Sequence, residues 1–280
     1  LDKREQDKWK QQIKAGHLYI NRGTTGAVVL RQPFGGMGKS ALGAGIKVGG
    51  PNYVSQFMEY KETEDPPIGA IRDESYLLWL AREWKVELLW GKHEELKTDL
   101  KKTVQALKSY IYNFQEEFSQ EKDYFNLRGQ DNLMRSLPVG KVLVRLHEDD
   151  SLFDVLGRIA AVIVSGCELV ISIPAALKNE VTDFLSGKEG KRIVGSAPVL
   201  HQSDSELIQY IPKVQRIRYA SPDRVPANVL EEAAKTGFYI SRTKVFMEGR
   251  LELLQYFQEQ SICDSYHRYG NLGDRALIVD

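Results

Sequence analysis

The chain has 280 residues, of which 42% are hydrophobic and 27% charged, and its 38 basic and 38 acidic side chains give a formal net charge of zero. This length accommodates one large domain or two ordinary ones, and the zero charge gives no electrostatic reason to expect nucleic acid or an anionic membrane as a partner. No apolar run reaches the roughly 20 residues that span a bilayer, and two cysteines are too few for a disulfide framework, so we expect a reducing, cytoplasmic location.

Residues 1–65 form the first predicted block, a charged helical segment followed by short strands and a glycine-rich stretch. Residues 1–16 form an amphipathic pattern without the apolar core of a signal peptide, and LYIN and AVVL are strand-like. Because the chain begins with Leu1 and its first helix leads directly into a strand, we expect an upstream continuation, with a processed N-terminus as the alternative. Seven glycines from Gly35 to Gly50 predict a loop, since each costs a helix about 1 kcal/mol relative to Ala.

The second predicted block, residues 66–137, begins at the proline pair Pro66-Pro67. Apolar side chains recur at spacings of three and four between positions 96 and 118, which predicts a helix with one buried stripe. The stripe covers only about three heptads, so packing within its own domain is favoured over a partner-binding coiled coil. We interpret this block as a helical connector.

The third predicted block, residues 138–280, alternates strand-like and helical segments. The strand-like segments are KVLVRL, ELVISI, VLHQ, RIRYA and FYISR. Helices are predicted to begin at Ser151, Ala175, Asp204 and Pro226, and a last helix is predicted over residues 249–260. This β-α-β-α succession predicts a parallel sheet covered by helices, as in a Rossmann-like α/β domain.

The segment PFGGMGKS at 33–40 resembles a phosphate-binding loop, except that Pro33 stands where the motif has its first glycine. Proline has no N–H to donate to a phosphate, and ALGAGIKVGGP is too glycine-rich for the helix that should follow. In the third block, the turns after KVLVRL and ELVISI lack glycine, and the acidic HEDDS turn would repel a pyrophosphate. We therefore predict a nucleotide-binding architecture without a phosphate-binding loop.

The sequence shows no complete set of metal ligands and no motif for a catalytic nucleophile. The five histidines show no ligand-like spacing with each other or with cysteine, so we expect no metal site. Cys167 lies in the apolar segment IVSGCELVISI and is interpreted as a structural thiol. A nucleophile-elbow sequence is also missing, and we assign no catalytic and no cofactor-binding residue to the chain.

Three motifs in the first block carry a family resemblance. They are N-R-x-x-x-G-A-V-V at 21–29, Q-P-F-G-G at 32–36 and K-x-G-G-P-x-Y at 47–53. Together they resemble the end of the catalytic domain of the L-glutamate-γ-semialdehyde (Δ1-pyrroline-5-carboxylate) dehydrogenases, within the aldehyde dehydrogenase superfamily. Other aldehyde dehydrogenases share the F-G-G core but not the flanking motifs.

The resemblance implies NAD-dependent oxidation of glutamate semialdehyde to glutamate in proline catabolism. In the family, backbone groups at the positions of Gly26 and Ala27 bind the α-carboxylate of the substrate, and an aromatic ring at the position of Phe34 packs on its aliphatic part. The family's reactive cysteine and NAD-binding residues precede these motifs, so we expect both upstream of Leu1. Residues 23–25, 37–41 and 45–46 depart from the family's usual sequence, but none of these changes removes the anchor atoms of Gly26 and Ala27.

The far end of the chain carries a second resemblance. RIRYASPDRVPANVLEEAA and EGRLELLQYFQEQSICDSYHRYGNLG look like the C-terminal domain of the proline utilization A flavoenzymes, which carry a proline dehydrogenase upstream. FAD would be a further cofactor only if that half is attached. The tail motif SYHRYGNLG is similar to a segment that packs near the family's active site. Residues 56–62 correspond to a strand that crosses to a partner subunit, which implies a homo-oligomer.

The fold class implied is α/β: the tail of an aldehyde dehydrogenase catalytic domain, a helical connector and a Rossmann-like domain. Two other functions stay open at this point. A non-catalytic oligomerisation and active-site-lid module would use the third block as an assembly surface. A phosphate-loop nucleotidase would bind ATP at residues 33–40.

Overall fold

The computed structural model describes residues 2–41, 43–72, 82–85 and 96–266. By the contacts between their Cα atoms, the residues group into two compact units. The first unit contains the residues up to Tyr60, Ser119–Leu137 and the residues from Gln258 on, and the second contains Lys61–Phe118 and Pro138–Phe257. The units do not follow chain order, because segments from both ends of the chain lie in the first. The division into three blocks at 65 and 137 stays a prediction.

The α-helices whose ends are described are α1 Lys3–Gln12, α2 Lys97–Asn113, α3 Leu152–Val164, α4 Glu180–Ser186, α5 Lys188–Val194, α6 Asp204–Tyr210, α7 Ala227–Thr236 and α8 Gly249–Glu252. The strands are β1 His17–Ile20, β2 Lys122–Asp123, β3 Gln130–Pro138, β4 Lys141–Arg145, β5 Glu168–Pro174, β6 Val199–Gln202, β7 Arg216–Arg218, β8 Ile240–Ser241 and β9 Phe257–Ser265. They form two sheets.

The sheet of the first unit joins strands that are far apart in the sequence. Its four strands lie in the order β1-β9-β3-β2, and β1 runs parallel to β9, with His17 opposite Ser261. Leu18, Ile20 and Ile262 form its core, and none is more than 3% exposed. The strand LYIN is therefore confirmed, and its neighbour comes from the other end of the chain.

The sheet of the second unit is a five-stranded parallel sheet in the order β6-β5-β4-β7-β8. Strand β4 lies in the middle, and the chain adds strands first on one side and then on the other. This is a doubly wound topology whose switch point lies between β4 and β7. Residues 142–144 of β4 are completely buried, as expected of a strand covered on both faces. The predicted parallel α/β sheet is confirmed.

Helix α3 shows why this sheet could be anticipated from local signals. Ser151 Oγ accepts from Asp154 N at 3.0 Å, and the Asp154 carboxylate accepts from Ser151 N at 3.1 Å, which is a capping box. The apolar side chains of Val155, Ile159 and Val162 are completely buried. By contrast, α4 begins at Glu180 rather than at 175, because a turn at residues 175–176 follows β5.

Three predicted elements differ in the structure. The predicted helix over 249–260 is α8, only four residues long, because Phe257–Ser265 pairs with β1 as a strand. AVVL at 27–30 is not a strand. The strand predicted over 56–62 is also not formed. Tyr53–Phe57 is a 3-10 helix, and residues 58–62 pair with no strand among the described residues. An edge strand of this kind needs a partner, so the homo-oligomer stays a prediction.

Most of residues 73–95, in the first part of the predicted helical connector, and the tail motif from residue 267 on lie outside the described residues. Within the described residues, no helix is long and apolar enough to cross a membrane, and no cluster of His, Cys, Asp and Glu could hold a metal ion. Both cysteines are free thiols, and Cys167 lies half-buried in the turn before β5 rather than inside that strand.

Candidate functional site

The loop that follows β1 carries two of the three predicted substrate-binding residues. Gly26 and Ala27 are exposed, and neither backbone N–H donates a hydrogen bond within the described part of the chain. Gly26 has a φ of 86°, a conformation that residues with a Cβ rarely adopt, so glycine is required there. Two successive N–H groups without an internal acceptor can bind a carboxylate.

Side chains at both ends of this loop hold it on the sheet. At one end, Arg22 Nη1 donates to Cys263 Sγ at 3.1 Å, and Arg22 Nη2 donates to Gly26 O at 3.4 Å. At the other end, the buried amide of Gln32 lies 2.9 Å from Asn132 Oδ1. The exposed middle of the loop is therefore presented from two anchored ends.

Phe34, the third predicted substrate-binding residue, is 64% exposed. Its backbone forms an isolated antiparallel bridge with Val48. Phe34 N donates to Val48 O at 2.9 Å, and Val48 N donates to Phe34 O at 2.8 Å. The bridge fixes the backbone and leaves the ring available to pack against an aliphatic ligand.

Lys47, next to this bridge, is completely buried. Its ammonium group donates to Gly36 O, and its backbone N donates to Glu259 Oε2 at 2.6 Å. Glu259 Oε1 in turn accepts from Asn52 Nδ2 at 2.6 Å. Burial lowers the pKa of Lys47 to about 8, although the Glu259 carboxylate opposes this shift. Lys47 therefore supports the loop at 34–36 from within.

His17 also lies beside this loop. Its ring meets the Phe34 ring edge-on, with centroids 6.3 Å apart, and its buried Nε2 has no hydrogen-bond partner within the described residues. Burial, assisted by the charges of Lys47 and Arg22, lowers the pKa of His17 from 6.5 to about 4. The folded chain therefore holds a neutral imidazole under Phe34 at neutral pH.

We expect His17 to make the chain sensitive to acid. Between pH 6.5 and about pH 4, the unfolded chain binds a proton at His17 that the folded chain does not bind. The free energy of unfolding therefore falls as the pH decreases through this window. His17→Gln should lose less stability than the wild type between neutral and mildly acidic pH in urea unfolding, whereas His201→Gln, at an exposed position, should match the wild type. Equal losses in all three proteins would contradict this role.

A cleft of about 440 Å³ lies beside the loop. Arg22 and Arg31 line it together with polar side chains, and no acidic side chain is among its described lining residues. Guanidinium groups match carboxylates in charge and geometry. The neighbours of Gly26 and Ala27 line the cleft, but these two residues and Phe34 do not. The structure thus places a cationic cleft next to the predicted carboxylate anchor.

The segment that resembles a phosphate-binding loop has a different structure. Gly38–Ser40 is a 3-10 turn, and Ser40 Oγ accepts from Met37 N at 3.1 Å. No α-helix follows within residues 43–72, so this segment has no helix N-terminus for a phosphate. The exclusion of a phosphate loop agrees with this geometry.

The switch point of the parallel sheet, where a dinucleotide would bind, is filled by the protein's own charges. The Asp150 carboxylate, in the turn after β4, pairs with the completely buried Arg158 and accepts from Arg224 Nη1 at 2.7 Å. Arg224 also pairs with Asp154, in the first turn of α3, at 2.9 Å. Two carboxylates at this helix N-terminus oppose a pyrophosphate. These residues do not fit NAD.

Sequence reasoning missed two residues that hold the Phe34 loop, Lys47 and Glu259. A lysine inside the glycine-rich motif K-x-G-G-P-x-Y is a signal that could have revealed the first. Glu259 lies in a segment predicted as helix, and its partners are distant in sequence, so it has no local signal.

Residues 1–63, the part of the chain that carries Gly26, Ala27 and Phe34, match the family model of the aldehyde dehydrogenase family. Bifunctional protein PutA of Klebsiella aerogenes is 30% identical over 193 residues, which are 64% of this chain and 13% of PutA. The 1-pyrroline-5-carboxylate dehydrogenase of Bacillus thuringiensis (strain Al Hakam) is 44% identical over 59 residues, which are 21% of this chain and 11% of that protein.

Among solved structures, proline utilization A (PutA) from Corynebacterium freiburgense is similar over 97% of this chain and 23% of its own, with a TM-score of 0.65 and 28% sequence identity. The family resemblance predicted from the motifs is confirmed by these relatives. The chain spans less than a quarter of the length of each of them.

Proposed function

We propose that the chain is part of an NAD-dependent L-glutamate-γ-semialdehyde dehydrogenase of proline catabolism and supplies the residues that bind the α-carboxylate of the substrate. The observation that carries the proposal is the exposed pair of N–H groups at Gly26 and Ala27, which lack an acceptor within the described residues. The family match of residues 1–63 and the homology to 1-pyrroline-5-carboxylate dehydrogenase support it.

Each group near the anchor has a task in this proposal. The N–H groups of Gly26 and Ala27 donate to the α-carboxylate, and a charged acceptor makes such hydrogen bonds stronger than neutral ones. Arg22 and Arg31 in the adjacent cleft attract the anionic substrate. The exposed Phe34 ring packs on the aliphatic chain of the substrate and excludes water from one side of it.

We propose that the nucleophilic cysteine and the NAD-binding residues lie outside this chain. Cys263 is completely buried, whereas a nucleophilic thiolate needs access to the substrate. Cys167 lies in the unit that lacks the predicted substrate-binding residues, with its Sγ 3.5 Å from Tyr256 O. The charged contacts at Asp150 leave no fit for a dinucleotide. The 280-residue chain alone is therefore expected to be inactive, and FAD enters only with an attached proline dehydrogenase.

The proposal is tested by adding a negative charge at the anchor of the full-length protein. Ala27→Asp should raise the KM for glutamate semialdehyde at least about fivefold over Ala27→Asn, because like charges a few ångströms apart repel by about 1–3 kcal/mol at a partly exposed site. The two variants differ in charge but hardly in size. Steady-state NAD reduction at several semialdehyde concentrations measures this difference.

Equal KM values for the Ala27→Asp and Ala27→Asn variants would remove Ala27 from the substrate site. The alternative, a non-catalytic structural and oligomerisation module, would then be favoured. The side chains of Val54, Phe57 and Met58 support this alternative, because each is more than half exposed and apolar surface of this kind is typical of contacts with another protein.

A further inference from the structure

We propose that Glu259 is a positioning residue for residues 34–36, which carry Phe34 and are called the substrate loop here, and that it acts through Lys47. This inference rests on the proposed function. Both carboxylate oxygens of Glu259 are engaged: Oε2 accepts from Lys47 N at 2.6 Å, and Oε1 accepts from Asn52 Nδ2 at 2.6 Å. Glu259 is only 4% exposed, so these charge-assisted hydrogen bonds are protected from water.

Lys47 passes this restraint on to the substrate loop. Its ammonium group donates to Gly36 O, and its neighbour Val48 makes two hydrogen bonds with Phe34, at 2.9 and 2.8 Å. A Cβ at Gly35 would lie 3.0 Å from Lys47 Cδ, so the lysine side chain packs directly against the loop. Glu259 therefore fixes residues 47–52, and these residues fix 34–36.

The contact between Glu259 and Lys47 joins two segments that are far apart in the sequence. Glu259 lies on β9, far outside the residues 1–63 that match the aldehyde dehydrogenase family. The same strand makes two more contacts with the glycine-rich stretch, from Gly38 N to Gln258 Oε1 at 3.3 Å and from Glu259 N to Gly45 O at 3.2 Å. A strand from the other end of the chain thus sets the shape of the loop that presents Phe34.

The first test is the Glu259→Gln variant of the full-length protein. The new amide would turn a donor toward Asn52, which is also a donor, and the substitution would remove the charge that both partners bind. We expect the KM for glutamate semialdehyde to rise about tenfold, the effect of losing one hydrogen bond to a charged group, while kcat changes less than about twofold. Glu121→Gln is the matched control, since Glu121 binds Arg135 in the same unit, outside the 34–52 segment.

Exchanging donor and acceptor tests the hydrogen-bond geometry itself. In Glu259→Gln with Asn52→Asp, the carboxylate introduced at position 52 accepts from the amide introduced at position 259, whose oxygen still accepts from Lys47 N. The double variant should bring KM back to within about threefold of the wild type. A merely destabilising change at Glu259 would not be repaired in this way.

Hydrogen exchange tests whether Glu259 positions the loop at 34–36, and this measurement does not depend on enzymatic activity. The backbone N–H groups of Phe34 and Val48, each of which donates to the other residue's carbonyl, should exchange faster in Glu259→Gln and normally in Glu121→Gln. Unchanged exchange in β3, which lies in the same sheet as β9, would show that the first unit is folded. Unchanged exchange at Phe34 and Val48, or a fall in kcat at constant KM, would overturn the proposal. If the wild type does not oxidise glutamate semialdehyde, the proposed function fails, and exchange still decides the role of Glu259.

Discussion

Replacing Arg218 with methionine is expected to lower the free energy of unfolding of the second unit by about 3–5 kcal/mol, because it leaves Glu252 as a buried carboxylate without its cation. Both side chains are completely buried, and Arg218 Nη2 donates to the two Glu252 oxygens at 2.8 and 3.0 Å. The Tyr256 hydroxyl and Phe246 N also donate to this carboxylate, at 2.8 and 3.1 Å. The core is therefore built around the Glu252 charge.

The tyrosine beside the pair keeps its proton and stays a donor. Burial, followed by the Glu252 carboxylate, raises the pKa of Tyr256 well above its ordinary value. The hydrogen bonds that Glu252 accepts from Tyr256 and Phe246 therefore persist at alkaline pH, where an ordinary tyrosine would lose its proton. They cannot replace the lost cation in Arg218→Met, because a hydroxyl and one amide carry only partial charges.

Hydrogen exchange in β4 and β7, measured against urea concentration, reports the stability of this unit. Arg218→Met combined with Glu252→Leu should recover part of the loss, since it removes the unpaired charge but leaves the Tyr256 hydroxyl and Phe246 N without their acceptor. Lys235→Met is the control. It breaks an exposed ion pair with Glu232 at 2.7 Å and should cost less than about 1 kcal/mol. If Arg218→Met and Lys235→Met lowered the free energy of unfolding equally, the pair of Arg218 and Glu252 would not stabilise the second unit as proposed.

Gly36→Ala is expected to destabilise the substrate loop by about 2–3 kcal/mol, because the added methyl group has no space. A Cβ at Gly36 would lie 1.9 Å from Ser40 O and 2.3 Å from Ser40 C. Both are backbone atoms, and Ser40 is held by its own turn, in which Ser40 Oγ donates to Met37 O at 2.9 Å. The loop must therefore move, and it carries both Phe34 and the carbonyl group that Lys47 binds.

Gly23→Ala is the matched control for this prediction. A Cβ at Gly23 meets no atom within 4 Å, and its backbone conformation suits any residue. Under the proposed function, Gly36→Ala in the full-length protein should lower kcat/KM for glutamate semialdehyde by roughly 30-fold or more, the factor that corresponds to the lost free energy. Gly23→Ala should stay within about twofold of the wild type. Similar activities of the two variants would show that the loop at 34–36 is not coupled to the substrate.

The second unit was largely predictable because its signals are local. A capping serine at 151 and apolar residues at helical spacing specify α3 without knowledge of its neighbours. Short apolar strands alternating with helices predict a parallel sheet, and the chain builds it in the doubly wound order. The acidic turn after β4 could also be seen in the sequence, because it is formed by a few consecutive residues, and the structure pairs its Asp150 with Arg158 and Arg224.

The first unit was less predictable because its partners come from opposite ends of the chain. The segment around Phe257 has apolar spacing that suits a helix, yet it forms β9 beside β1. Strand preference depends on the neighbouring strand more than on the residues themselves. The motifs that contain Gly26, Ala27 and Phe34 identified the loop, but not what holds it.

The sequence by itself determined the match of residues 1–63 to the aldehyde dehydrogenase family and the parallel α/β sheet. It also predicts Gly26, Ala27 and Phe34 as substrate-binding residues, and this assignment stays a prediction. These features depend on motifs and on periodic patterns within short segments. Only the tertiary structure decided that Glu259 binds Lys47 and Asn52, and that Arg224 closes the sheet's switch point on Asp150. The physical reason is that a buried charge pairs with a group that lies close to it in the folded chain. Two such groups can be far apart in the sequence, so the sequence does not show which groups will pair.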